Sequence, residues 1–168
     1  PTDIAVGQNT ISGNAANGVN VTTNDDSQTS VDLISNVIQG LGAQINGVSV
    51  TTNSASRFGK AGGVASLFDG NIITGHSADG VVLTANAISQ LDVDIMGITQ
   101  QAVISQNQAN GLSIVDNSTS AIMTVGVGNP ASSGAGPGAD VPPDAPDVVI
   151  AQNGNDAIRI AQTGGGDI

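Results

Sequence analysis

Short apolar alternations return along this chain in a fixed order, separated by small polar turns. One segment reads Gly-Val-Asn-Val-Thr from residue 18, Gly-Val-Ser-Val-Thr from 47, Gly-Val-Val-Leu-Thr from 80, Gly-Leu-Ser-Ile-Val from 111 and Ala-Ile-Arg-Ile-Ala from 157. Successive copies lie 29, 33, 31 and 46 residues apart. A period of two marks a strand whose faces differ. In these five segments, strand A, the inward residues are Val19 and Val21, Val48 and Val50, Val81 and Leu83, Leu112 and Ile114, and Ile158 and Ile160. Asn20, Ser49, Val82, Ser113 and Arg159 then point outward.

A second segment, strand C, precedes each copy of A and is centred on Ile11, Ile38, Ile73, Ile104 and Ile150, all placed inward. A third, strand B, is expected at residues 4–6, 31–34, 64–68, 91–95 and 122–127. Asp25-Asp26-Ser27 and Asn53-Ser54-Ala55-Ser56 supply the turn from A to B, and Gly13-Asn14 through Asn17-Gly18 the turn from C to A. Such residues adopt the backbone angles that tight corners require. Self-similarity at about 30 residues is the signature of a solenoid. The pattern predicts an all-β parallel β-helix or β-solenoid, one domain over residues 1–168, with about five turns of three short strands. An antiparallel sandwich also has many short strands, but it does not need equal strands to return at a fixed interval in a fixed order.

Two columns follow from this register. Asn24, Asn53, Asn86 and Asn117 close four copies of strand A, where stacked amides can bond from turn to turn. Val37, Ile72, Val103 and Val149 sit beside the inward Ile residues of strand C and so face outward, as an apolar stripe suited to a lateral contact. Residues 128–147 (GNPASSGAGPGADVPPDAPD) break the rhythm and hold five of the six prolines. They are expected to form an extended loop insertion.

Composition narrows the picture. There is no Cys, Trp or Tyr, and there are only two Phe. The apolar content is 39%, mostly small or β-branched, which suits a narrow strand-lined core. That content recurs in phase, which argues against disorder. The net charge is −11 with only three basic residues, which excludes nucleic acid and anionic membrane surfaces as partners. No apolar run reaches membrane-spanning length, so no membrane insertion is expected. Few Lys and abundant Gly, Asn, Ser and Thr match an extracellular or cell-surface location.

Asn9-Thr-Ile-Ser-Gly-Asn with Asn17-Gly-Val-Asn-Val, and the counterparts at 71–83, resemble right-handed parallel β-helix proteins of the pectate-lyase-like superfamily. That resemblance covers nearly the whole chain outside the proline-rich insert. It implies a right-handed coil and a fold used by carbohydrate-active enzymes, adhesins and phage spikes. Residues 152–162 (QNGNDAIRIAQ) also resemble the repeats of curli-type fibre subunits.

Carbohydrate-active β-helices cluster carboxylates with His or Arg. Here Asp26, His76 and Arg159 fall on different turns, and four steps of about 4.8 Å put Asp26 and Arg159 roughly 19 Å apart along the axis. His76 reads as a turn residue. Asp92 and Asp94 are the better pair, since period two puts both on the outer face of one strand, where they could hold a cation or a sugar. They have no basic neighbour in their own strand and no aromatic to stack a sugar. A Thr array at Thr22, Thr51 and Thr84, of the kind that orders water, fails at Val115 and Ala161. No metal, cofactor or catalytic set is expected.

The sequence starts in strand B and stops after strand A, so joining its ends would restore an A-to-B passage. Ile4, Ile158 and Ile160 would then lie at exposed faces ready to pair with another copy. The expectation is a self-assembling extracellular filament subunit, stacked head to tail with itself, for adhesion or matrix formation. The other reading is a β-helix segment of a polysaccharide-binding or polysaccharide-cleaving protein.

Overall fold

The computed structural model describes residues 1–41, 45–118, 122–128 and 148–163. Every helix-or-strand element among these residues is a strand. The B strands are β1 (Thr2–Gly7), β4 (Gln28–Ile34), the pair β7 (Arg57–Phe58) and β8 (Ser66–Asp69), β11 (Gln90–Met96) and β14 (Ile122–Gly128). The C strands are β2 (Thr10–Ser12), β5 (Val37–Gln39), β9 (Ile72–Thr74), β12 (Ala102–Ser105) and β15 (Val148–Ala151). The A strands are β3 (Val19–Thr23), β6 (Val48–Thr52), β10 (Val81–Ala87), β13 (Leu112–Ser118) and β16 (Ile158–Gln162). Each family forms its own sheet, and all pairing between named strands is parallel, between successive turns. The result is a three-sided β-solenoid of five stacked rungs.

The register explains the repeat. Val19, Val48, Val81, Leu112 and Ile158 share one column, as do Ile11, Ile38, Ile73, Ile104 and Ile150. Across the middle rungs these side chains are buried and form one continuous core with Leu33, Leu91 and Val93. Successive rungs bury like against like, so one β-branched residue type can fill a whole column. The two phenylalanines, Phe58 and Phe68, are both buried in rung three.

The glycine that opens the second, third and fourth A strands has a steric cause. A Cβ on Gly47, Gly80 or Gly111 would collide with Cγ2 of Ile73, Ile104 or Ile150, the C-strand isoleucine of the next rung. The corner is too tight for any side chain, and the backbone passes directly beneath the isoleucine above.

Rung three departs from expectation. Its B strand was placed at residues 64–68, yet Val64 is exposed and lies outside the strand. Phe58 pairs with Leu91, and Ser66 pairs with Val93. Residues 59–65 therefore occupy the space that Asp92 alone fills in the next rung. They fold out as a small hairpin closed by the Lys60–Val64 bridge, with left-handed Gly62 and Gly63 at its tip. Alternation misled because Val64 mimics an inward residue, whereas the inward position belongs to Ser66. The Ser66 hydroxyl accepts the Val31 N–H at 3.2 Å. Of residues 128–147, expected as the proline-rich loop, Gly128 instead closes β14, and 129–147 lie outside the described residues.

Candidate functional site

The three corners are where side chains act along the axis. Each carries a column of left-handed residues: Gln8, Ser35 and Gly70 from B to C; Gly13, Gly75, Gln106 and Gln152 from C to A; Asp25, Ser54 and Ala87 from A to B. A non-glycine residue in this conformation costs roughly 1–2 kcal/mol. A polar column beside each corner offsets that strain.

At the A-to-B corner, Asn53 Nδ2 donates to Asn24 Oδ1 at 3.0 Å, Asn86 Nδ2 to Asn53 Oδ1 at 2.8 Å, and Asn117 Nδ2 to Asn86 Oδ1 at 3.1 Å. Thr163 Oγ1 donates to Asn117 Oδ1 at 2.7 Å, which extends the column to the fifth rung. Just inside it, Thr23 pairs with Ser56 at 2.8 Å and Thr52 with Ser89 at 2.7 Å, all four buried. These serines sit three residues after Asn53 and Asn86, so an Asn-x-x-Ser pattern in the sequence carries the signal.

Three more columns were not anticipated. From B to C, the Asn36 carboxamide oxygen accepts from Asn9 N at 3.0 Å and Asn9 Nδ2 at 3.3 Å, while its Nδ2 donates to Val6 O at 2.8 Å and Asn71 Oδ1 at 3.1 Å. Asn36 and Asn71 are buried. From C to A, His76 N donates to Asn107 Oδ1 at 3.1 Å, His76 Nδ1 lies 2.9 Å from the same oxygen, and Asn107 Nδ2 donates to Asn153 Oδ1 at 3.0 Å. Before strand A, Asn17, Asn46, Asp79, Asn110 and Asp156 bond from rung to rung, each side-chain oxygen accepting the next rung's backbone N–H. Short polar residues recurring one position before the Gly or Ala that opens strand A were the available clue.

His76 is therefore no ordinary turn residue. It is fully buried. Burial lowers its pKa below the usual value, and the hydrogen bond to Asn107 opposes that shift. Asp26 lies in the β3–β4 turn and Arg159 on β16, four rungs away, so the three residues do not meet.

Asp92 and Asp94 do face outward from β11, but Asp92 is engaged. Its Oδ2 forms a 2.7 Å ion pair with Arg57 Nη2 of the adjacent strand β7. Lys60, on the rung-three hairpin, pairs with Asp32 at 2.6 Å. The two cations pin the hairpin and its strand to the rungs on either side. Asp94 stands in register with Leu67 and Gly126. Among the described residues there is no group of three or more potential metal ligands and no cavity, and no helix is long and apolar enough to cross a membrane.

Val37, Ile72, Val103 and Val149 fall in one column on the outer face of the C sheet, each half-buried. The outermost rungs leave core residues exposed: Ile4 is 46% exposed, Ile158 46% and Ile160 59%. Comparison with known proteins gave no match to a family model, a curated protein or a solved structure.

Proposed function

We propose that this chain is a structural, self-stacking β-solenoid that joins end to end into an extracellular filament for adhesion or matrix formation. One observation carries the reading. Apolar columns run through all five rungs of the A and C sheets, and the outer rungs leave inward apolar residues open to solvent, at Ile4 of the B sheet on one side and at Ile158 and Ile160 of the A sheet on the other. Outer parallel strands that pair with no further named strand, and that carry exposed apolar side chains, favour a heterologous contact, which propagates. Few lysines and abundant small polar residues support an extracellular setting. The three-sheet cross-section supports kinship with pectate-lyase-like β-helices.

Sedimentation and electron microscopy of the purified chain over a range of concentrations test this. Thiol chemistry tests the polarity, since the chain has no cysteine. Asn20 and Arg159 belong to the same outward column at opposite rungs. N20C and R159C proteins, mixed with a bifunctional thiol reagent, should cross-link to each other and not to themselves. Discrete particles that never elongate, with no N20C–R159C product, would refute the stacking.

A further inference from the structure

The position that opens strand A obeys one rule with one exception. A Cβ on Gly80 would collide with Ile104 Cγ2 and stand 2.7 Å from both Asn107 Nδ2 and the Gly111 carbonyl oxygen. A Cβ on Gly111 would collide with Ile150 Cγ2 and stand 2.6 Å from Asn153 Nδ2 and 2.7 Å from the Ala157 carbonyl oxygen. Real Cβ atoms do not come this close, so each rung must lack a side chain here for the next to settle onto it. The fifth member of the column is Ala157, fixed by the Leu112 N–H bond to its carbonyl. Its methyl is exposed on the β14–β16 rung.

A second copy that set its β1–β3 rung there in the internal phase would bring Ile11 to the place that Ile150 takes over Gly111. Asn14 and the Gly18 carbonyl would take the places of Asn153 and the Ala157 carbonyl. All three would then press on the Ala157 methyl. We propose that Ala157 sets the strength of the end-to-end contact: its methyl holds an incoming copy off the internal phase, so copies associate more weakly than rungs stack within one chain. This rests on the self-stacking reading. The polar column before strand A still matches across the junction. Asp156 can accept from Asn17 of the next copy as Asp79 accepts from Asn110. The methyl is thus the specific obstacle, and a second copy of this chain is the partner it regulates.

The test compares the concentration at which wild type, A157G and A157S assemble, read by sedimentation, with circular dichroism confirming that each is folded. A157G removes the Cβ and should assemble at about tenfold lower concentration or less, the ratio that a relief of one steric contact of about 1.4 kcal/mol gives. A157S keeps the Cβ and should match wild type. Equal thresholds for all three proteins overturn the role of Ala157 and leave self-stacking intact. Assembly of A157G alone supports the role of Ala157 and overturns self-stacking of the natural chain. No assembly by any of the three overturns both.

Discussion

Replacing Asn36 measures what a corner column contributes. Its carboxamide makes four hydrogen bonds: from Asn9 N and Asn9 Nδ2, and to Val6 O and Asn71 Oδ1. Alanine removes all four at a fully buried site. At about 1 kcal/mol net per bond, less what an exposed Asn9 recovers from water, the loss is roughly 3 kcal/mol. Asn36→Asp is sharper. It keeps the acceptor for Asn9 but turns a second oxygen toward Val6 O and Asn71 Oδ1. A carboxylate facing two acceptors in a buried site has its folded pKa raised above the unfolded value of about 3.9. The protonated form can donate, so the deficit relative to wild type is small below that unfolded value and grows as pH rises toward the folded pKa. Urea unfolding followed by far-ultraviolet circular dichroism is the assay, because the chain has no Trp or Tyr. Asn36→Ala within 0.5 kcal/mol of wild type, or Asn36→Asp equal to wild type at pH 7, would refute the account.

His76, buried with a lowered pKa, binds a proton more weakly folded than unfolded, so stability is full above pH of about 6.5 and falls as pH drops below it. His76→Asn, which restores the residue type of Asn107 and Asn153, should remove that dependence in unfolding titrations. Gly80→Ala should cost about 2–4 kcal/mol through overpacking, reduced by up to about 1 kcal/mol from a stiffer unfolded chain, and unfolding midpoints report it. Asp92→Asn should cost about 0.5–1 kcal/mol, a partly exposed ion pair's worth, and molar salt should close the gap; Asp94→Asn should stay within about 0.5 kcal/mol.

The A and C sheets were legible in the sequence because period two and a repeat near 30 residues constrain each other. Ile73 cannot be inward unless Ile38 and Ile104 are. The third B strand was not legible, since its hairpin inserts glycines between two halves of one strand and puts a serine in the core column. Nor was the Arg57–Asp92 pair, which joins residues on different strands and appears only once the register is known. His76 was misread because a histidine in a turn resembles a surface residue until the Asn107 and Asn153 column is drawn through it. The obstacle at Ala157 is one methyl. It means nothing until Gly47, Gly80 and Gly111 are seen to need their bare backbones.

The B-to-C corner shows where such a chain can change its length. In rungs one to three it is two residues long, and the second is Asn9, Asn36 or Asn71. In rung four the column has ended, and residues 97–101 bulge out with the Ile98 and Thr99 N–H groups held by Asp69. In rung five, 19 residues separate β14 from β15. At this corner the longer connections therefore fall where no amide column crosses, and the column acts as a fixed spacer in the first three rungs. A foreign peptide inserted between Gln100 and Gln101, beyond the Ile98 and Thr99 N–H groups that hold Asp69, should be displayed without disturbing the shaft, whereas the same graft at Ser35 would cut the column that holds three rungs in step.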